Sequence, residues 1–143
     1  MGTITSANSQ FTLTIPALGI NQAPIQGYAA DDAFTQEAFE VTETRMGVDG
    51  TLSAGYTPNP KKLTVVLQPD SPSIPIFDQW IAGMEQAQEA LEASAFITVP
   101  SIGKAFAFTT GWLRNVVKMP SGKKVLEPQS YTIEWQDIDA VPI

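Results

Sequence analysis

A chain of 143 residues, 43% hydrophobic and 16% charged, is long enough for one domain with a buried core and too apolar to read as disordered. Its net charge of -7 argues against affinity for phosphate backbones, which depends on Lys and Arg. Cys and His are absent, which removes disulfides, thiolate nucleophiles, imidazole bases and nearly all transition-metal sites.

The opening stretch Met1 to Gln10 is polar, with no basic region and no apolar run, so neither a secretory signal nor a membrane anchor is expected and synthesis in the cytoplasm is. Phe11 to Ile15 alternates apolar and polar residues and reads as a strand. Ile25 to Ala30 is a second candidate. Ala38 to Arg45 is a third, with Phe39 and Val41 on one face and Glu40 and Thr42 on the other. Met46 to Pro60 holds Asp49-Gly50, Gly55, Pro58 and Pro60, so it reads as a long loop or an extended hairpin. Lys61 to Gln68 resumes strand character through Leu63, Val65 and Leu67.

The period then changes. Ile76, Phe77, Trp80, Ile81, Met84, Ala87 and Leu91 recur at three- and four-residue steps, which predicts a helix over about 74–92 with these residues facing the core. Ser71 or Ser73 can cap its start, and Pro75 suits its first turn. Asp78, Glu85, Glu89 and Glu92 fall on the other face. Alternation returns in Phe96 to Val99, Lys104 to Met119 and Lys123 to Gln136, with Ser121-Gly122 as the turn joining the last two. The expected architecture is one domain over 1–143, mainly β: an antiparallel sandwich or barrel with a single flanking helix.

Few groups invite chemistry. Glu37, Glu40 and Glu43 beside Asp31-Asp32 raise carboxylate-pair hydrolysis, but a solvated acidic surface accounts for them as well. Asp31, Asp32 and Glu37 lack the ligand ladder of a calcium loop. Gly47, Gly50 and Gly55 match no phosphate-binding pattern and suit turns better. Trp80, Trp112 and Trp135 would make a sugar-stacking platform, as in a monomeric carbohydrate-binding module, only if exposed together; Trp80 and Trp135 sit on apolar faces. Lys118, Lys123 and Lys124 form the one basic cluster, suited to a hairpin tip or to an acidic partner surface. No catalytic residue, cofactor or metal is expected, and the chain reads as a non-enzyme.

The stretches Pro24-Ile25-Gln26-Gly27-Tyr28, Asp32-Ala33-Phe34, Val48-Asp49-Gly50 and Leu63 through Gln68 to Pro69-Asp70-Ser71-Pro72-Ser73 resemble the tail tube proteins of contractile-tailed bacteriophages. The inner tubes of type VI secretion systems and pyocins are similar in fold. The resemblance implies a structural virion protein, assembled in the host cytoplasm into hexameric rings that stack as a tube inside a sheath. It implies partners in further copies of itself and in the sheath, baseplate and tape-measure proteins, with DNA passing through unbound. By the same resemblance the 46–60 segment reaches an adjacent subunit or ring, with Val48, Asp49, Leu52 and Tyr56 at the contact. Glu40, Thr42, Thr44, Thr132 and Glu134, on polar faces, are the candidates for the channel wall. Trp80→Ala should cost about 3–5 kcal/mol as a large core truncation, read as a lowered denaturation midpoint and loss of soluble protein.

Overall fold

The computed structural model describes residues 9–26, 34–122 and 124–142. Its elements are β1 (Gln10–Ile15), β2 (Ile20–Ile25), β3 (Phe34–Gln36), β4 (Thr42–Met46), β5 (Leu52–Tyr56), β6 (Lys61–Leu67), α1 (Ile74–Ala87), β7 (Glu92–Val99), β8 (Lys104–Val116) and β9 (Gln129–Pro142). The fold is mainly β with one helix, as the alternating and three-four patterns imply. The strands form one antiparallel seven-stranded sheet in the order β2-β1-β7-β8-β9-β6-β3, with β4 and β5 as a separate two-stranded ladder.

The large sheet is curled but not closed into a barrel. Phe34 on β3 meets Phe11 on β1 edge-on, ring centroids 6.4 Å apart, although β3 pairs only with β6 and β2 only with β1. Alternation explains the core. Leu13, Ile15, Val65, Leu67, Tyr131 and Ile133 are fully buried on the inner face, while Thr12, Thr64, Thr132 and Glu134 alternate with them on the outer one.

The helix closes the inner face. Phe77, Trp80 and Ile81 are buried, with Ile76, Met84 and Leu91 packed around them, and the Phe77 ring stacks on Tyr131 at 4.3 Å. Burial raises the Tyr131 hydroxyl above its ordinary pKa, and the Asp78 carboxylate pushes it the same way.

Several boundaries differ from the sequence reading. The helix ends at Ala87, because Gln88 takes a left-handed conformation (φ 56°) and turns the chain back. Leu91 therefore reaches the core from outside the helix, and its carbonyl accepts the Trp80 Nε1–H bond at 3.0 Å. Ser71 and Ser73 do not cap α1. The Ser73 hydroxyl accepts from the Gln26 N–H at 2.7 Å and donates to the Pro24 carbonyl at 3.3 Å, and the Ser71 hydroxyl donates to the Gln26 carbonyl, so both serines moor the end of β2. That strand is Ile20–Ile25, earlier than expected; residues 27–30 of the expected strand lie outside those described.

Ala38 to Arg45 is not one strand. Residues 37–41 are irregular between β3 and β4. No tight Ser121-Gly122 turn joins the last two strands either, since Val116 pairs with Tyr131 and the described residues of 117–128 belong to no strand.

Strand β8 is distorted where it crosses the core. Between Ala93 and Ala95 the β7–β8 register shifts, and Thr110 carries a positive φ of 50°. The bulge brings Gly111 against the Trp135 ring, and a Cβ there would stand 2.3 Å from it. Trp135 is only 1% exposed and has no room to move aside. Gly111→Ala should therefore destabilise the fold by about 1–3 kcal/mol, measured by urea titration, and an unchanged midpoint would refute this packing.

Candidate functional site

The conspicuous surface feature is the hairpin of β4 and β5. Its register pairs Thr42 with Tyr56, Thr44 with Ala54 and Met46 with Leu52, and on the other face Glu43 with Gly55 and Arg45 with Ser53. Directly paired residues project to the same side. One face is thus Met46, Leu52, Ala54 and Tyr56 with two threonines, and the other carries the Glu43 and Arg45 charges. Every residue of both strands is exposed, Tyr56 at 76%.

The tip explains Asp49-Gly50. Gly50 N–H donates to the Gly47 carbonyl at 3.0 Å and Gly47 N–H to the Thr51 carbonyl at 2.8 Å, closing the turn. Gly50 has φ 85°, a left-handed conformation open to glycine at little cost. The Asp49 carboxylate accepts the Thr51 N–H at 3.0 Å; this bond, then one from the Thr51 hydroxyl, lowers its pKa below the ordinary aspartate value. Val48 is left at the apex, fully exposed.

At the base, Thr57 N–H donates to the Val41 carbonyl at 3.0 Å and Asn59 Nδ2 to the Glu40 carbonyl at 2.8 Å. Lys61 Nζ lies 4.9 Å from the Phe39 ring centroid. A groove of about 510 Å³ runs beside these residues, lined by Glu37, Phe39, Glu40, Glu43, Asn59 and Lys62.

The contact candidates Val48, Asp49, Leu52 and Tyr56 all lie on this hairpin. The channel-wall candidates do not form one surface. Glu40 sits in the irregular 37–41 segment rather than on a strand face. Thr42 and Thr44 share the hairpin face of Tyr56 and Leu52, so these two sets of candidates occupy a single surface. Thr132 and Glu134 lie on β9 on the outer face of the large sheet, where the Thr132 and Thr64 hydroxyls are 3.4 Å apart and Arg114 pairs with Glu134. Met46 was missed, and its signal was legible: it completes the apolar face once the hairpin starts at Thr42.

Among the described residues, the candidate carboxylates lie at an open groove and the three tryptophans do not share a face. Glu37, Glu40 and Glu43 meet at the groove but all are exposed, so none is withdrawn from water. Trp80 and Trp135 are buried and only Trp112, at 40%, reaches the surface. Among the described residues no three His, Cys, Asp or Glu side chains converge on a metal position; Asp31 and Asp32 lie outside them. No described helix is long and apolar enough to cross a membrane.

This fold is shared with chains in solved structures of contractile injection systems. A chain in the structure of an extracellular contractile injection system, the PVC sheath-tube complex in its extended state, shares it with a TM-score of 0.64 at 12% identity, over 99% of this chain and 93% of that one. A chain of the anti-feeding prophage tube-terminating cap gives 0.63 at 12% identity, over 100% and 93%. A chain of the anti-feeding prophage baseplate gives 0.58 at 11%, over 99% and 98%. No curated protein matches.

Residues 2–139 match the family described as tail fiber protein gp32, and the chain belongs to that family. It is a structural tail protein.

The turn makes a prediction. Asp49→Ala and Gly50→Val should each speed amide exchange in β4 and β5 while leaving the melting of the large sheet unchanged, because the hairpin lies outside the core. The Asp49 pKa is lowered in the folded chain, so its bonds to Thr51 persist through the ordinary aspartate range and are lost only as pH falls through the lowered value. The Thr51 amide shift, followed by NMR titration, should move below that range and not within it.

Proposed function

We propose that this chain is the subunit of the inner tail tube: identical copies join side by side in rings, six to a ring by the resemblance to tail tube proteins, and the rings stack into a channel for DNA. The observation that carries this reading is the β4–β5 hairpin. A two-stranded ladder alone in water is marginal at best, and this one exposes an apolar face as well. No described strand pairs with either outer edge of the hairpin or with the outer edge of β2. Neighbouring copies would pair those edges and cover that face, and ring closure leaves no edge over.

The chain does no turnover in this reading. Sheath, baseplate and tape-measure proteins are its further partners, and the tail of a virion assembled in the host cytoplasm is its location. The acidic balance supports passage of DNA without adhesion, since a wall poor in Lys and Arg releases few counterions on contact. Thr42 and Thr44 go with the hairpin contact, since they share its apolar face. Thr132 and Glu134 remain candidates for the wall, with Arg114 offsetting part of the Glu134 charge.

Negative-stain microscopy of the purified chain over a concentration series should show rings and then hollow rods. Val48→Asp with Tyr56→Asp should shorten or abolish the rods while the circular dichroism of the chain is kept. A wild-type chain that stays monomeric at high concentration would sink the reading.

A further inference from the structure

The hairpin has a counterpart at the opposite end of the molecule. Strands β6 and β9 pair from Lys61 with Trp135 to Leu67 with Gln129, a ladder of about 20 Å at the usual strand rise. The hairpin enters β6 at the Lys61 end through Thr57–Pro60. The loop 117–128 leaves β8 and enters β9 at the Leu67 end, where Val116 pairs with Tyr131.

This loop also exposes apolar side chains: Met119 at 75%, Val125 at 78% and Leu126 at 51%. The charges differ in sign. Around the hairpin stand Glu37, Glu40, Glu43 and Asp49 against Arg45, Lys61 and Lys62, a net negative balance, while the loop carries the exposed Lys118 and Lys124 against Glu127, a net positive one. Lys118 is paired with Glu85 of α1, but both members of that pair are more than half exposed, so the pairing holds the lysine only weakly.

We infer that the hairpin of one copy seats on the 117–128 loop of the next copy, head to tail, apolar face against apolar loop and acidic flank against lysines. This rests on the assembly reading above and names the two surfaces it uses. A two-fold contact would bring hairpin against hairpin and acid against acid. The heterologous contact matches opposite charges and leaves each copy with one hairpin given and one loop open, so it propagates along an axis.

Charge reversal tests it. Lys118→Glu with Lys124→Glu makes both ends acidic, and Glu40→Lys with Glu43→Lys makes both ends basic. All four positions are exposed, and thermal melts confirm that each variant is folded. Each variant alone should need about tenfold more protein than wild type for half-maximal rod formation at low salt, since like charges then meet at every junction. Mixed in equal amounts, the two should form rods of alternating composition near the wild-type concentration, and this rescue should fade as salt is raised. If the loop-reversed chain alone forms rods at the wild-type concentration, or the mixture fails to recover, the loop is not the receptor and only this inference falls. If the wild-type chain forms neither rings nor rods, the assembly reading falls with it.

Discussion

The packing of α1 on the inner face of the sheet is the contact from which the other features follow. Phe77 lies flat on Tyr131, Trp80 fills the space beside it, and the Trp80 N–H bonds the Leu91 carbonyl. Aromatic side chains of this size dominate the apolar area a small domain can bury. Because the helix covers one face only, the core is one-sided. The other face remains polar along β6 and β9, and among the described residues no second α-helix or further strand closes the curled sheet.

That asymmetry leaves the chain in two parts of unequal stability. The sheet and helix share one cluster of buried residues from Phe11 to Trp135, so they should open together. The hairpin shares none of it and is held at its base by single hydrogen bonds to Val41 and Glu40. Its local stability therefore rests on five ladder pairs and one turn, which puts it at the low end of the range of opening free energies. A segment of this kind gains order when a partner supplies the missing burial. The turn reduces the ordering cost in advance, because Asp49 and Gly50 already fix the tip.

Local pattern made the strands of the core and the helix legible, because burial on one face imposes a period of two or of 3.6. Phe11 to Ile15, Leu63 to Leu67 and Phe77 to Ile81 are such cases. The errors fall where an apolar residue reaches the core, or fails to, for reasons outside its own element. Leu91 kept the helical spacing but arrives after a left-handed turn at Gln88 and packs against Gly83. Val117, Met119 and Val125 alternate as strand residues do, yet all three stay exposed, and the register of β8 on β9 leaves them in a loop. Ser71 and Ser73 stand where caps belong, but β2 passes close enough to claim their hydroxyls. The placement of β6 between β9 and β3 is a long-range pairing that no local window contains.

The hairpin and the 117–128 loop expose apolar residues at a density that most soluble monomers avoid. What makes this tolerable is electrostatic. The net charge of -7 in 143 residues sets free copies against one another at long range, while the lysines of the 117–128 loop would provide a local exception to that repulsion in the proposed contact. Long-range repulsion with short-range attraction disfavours disordered clumping, in which acidic surfaces would meet at random. It spares the one orientation that sets lysines against carboxylates. In the proposed head-to-tail contact, the acidity of the chain and the lysines of the loop therefore act as one constraint: charge restricts how the exposed apolar surfaces can meet.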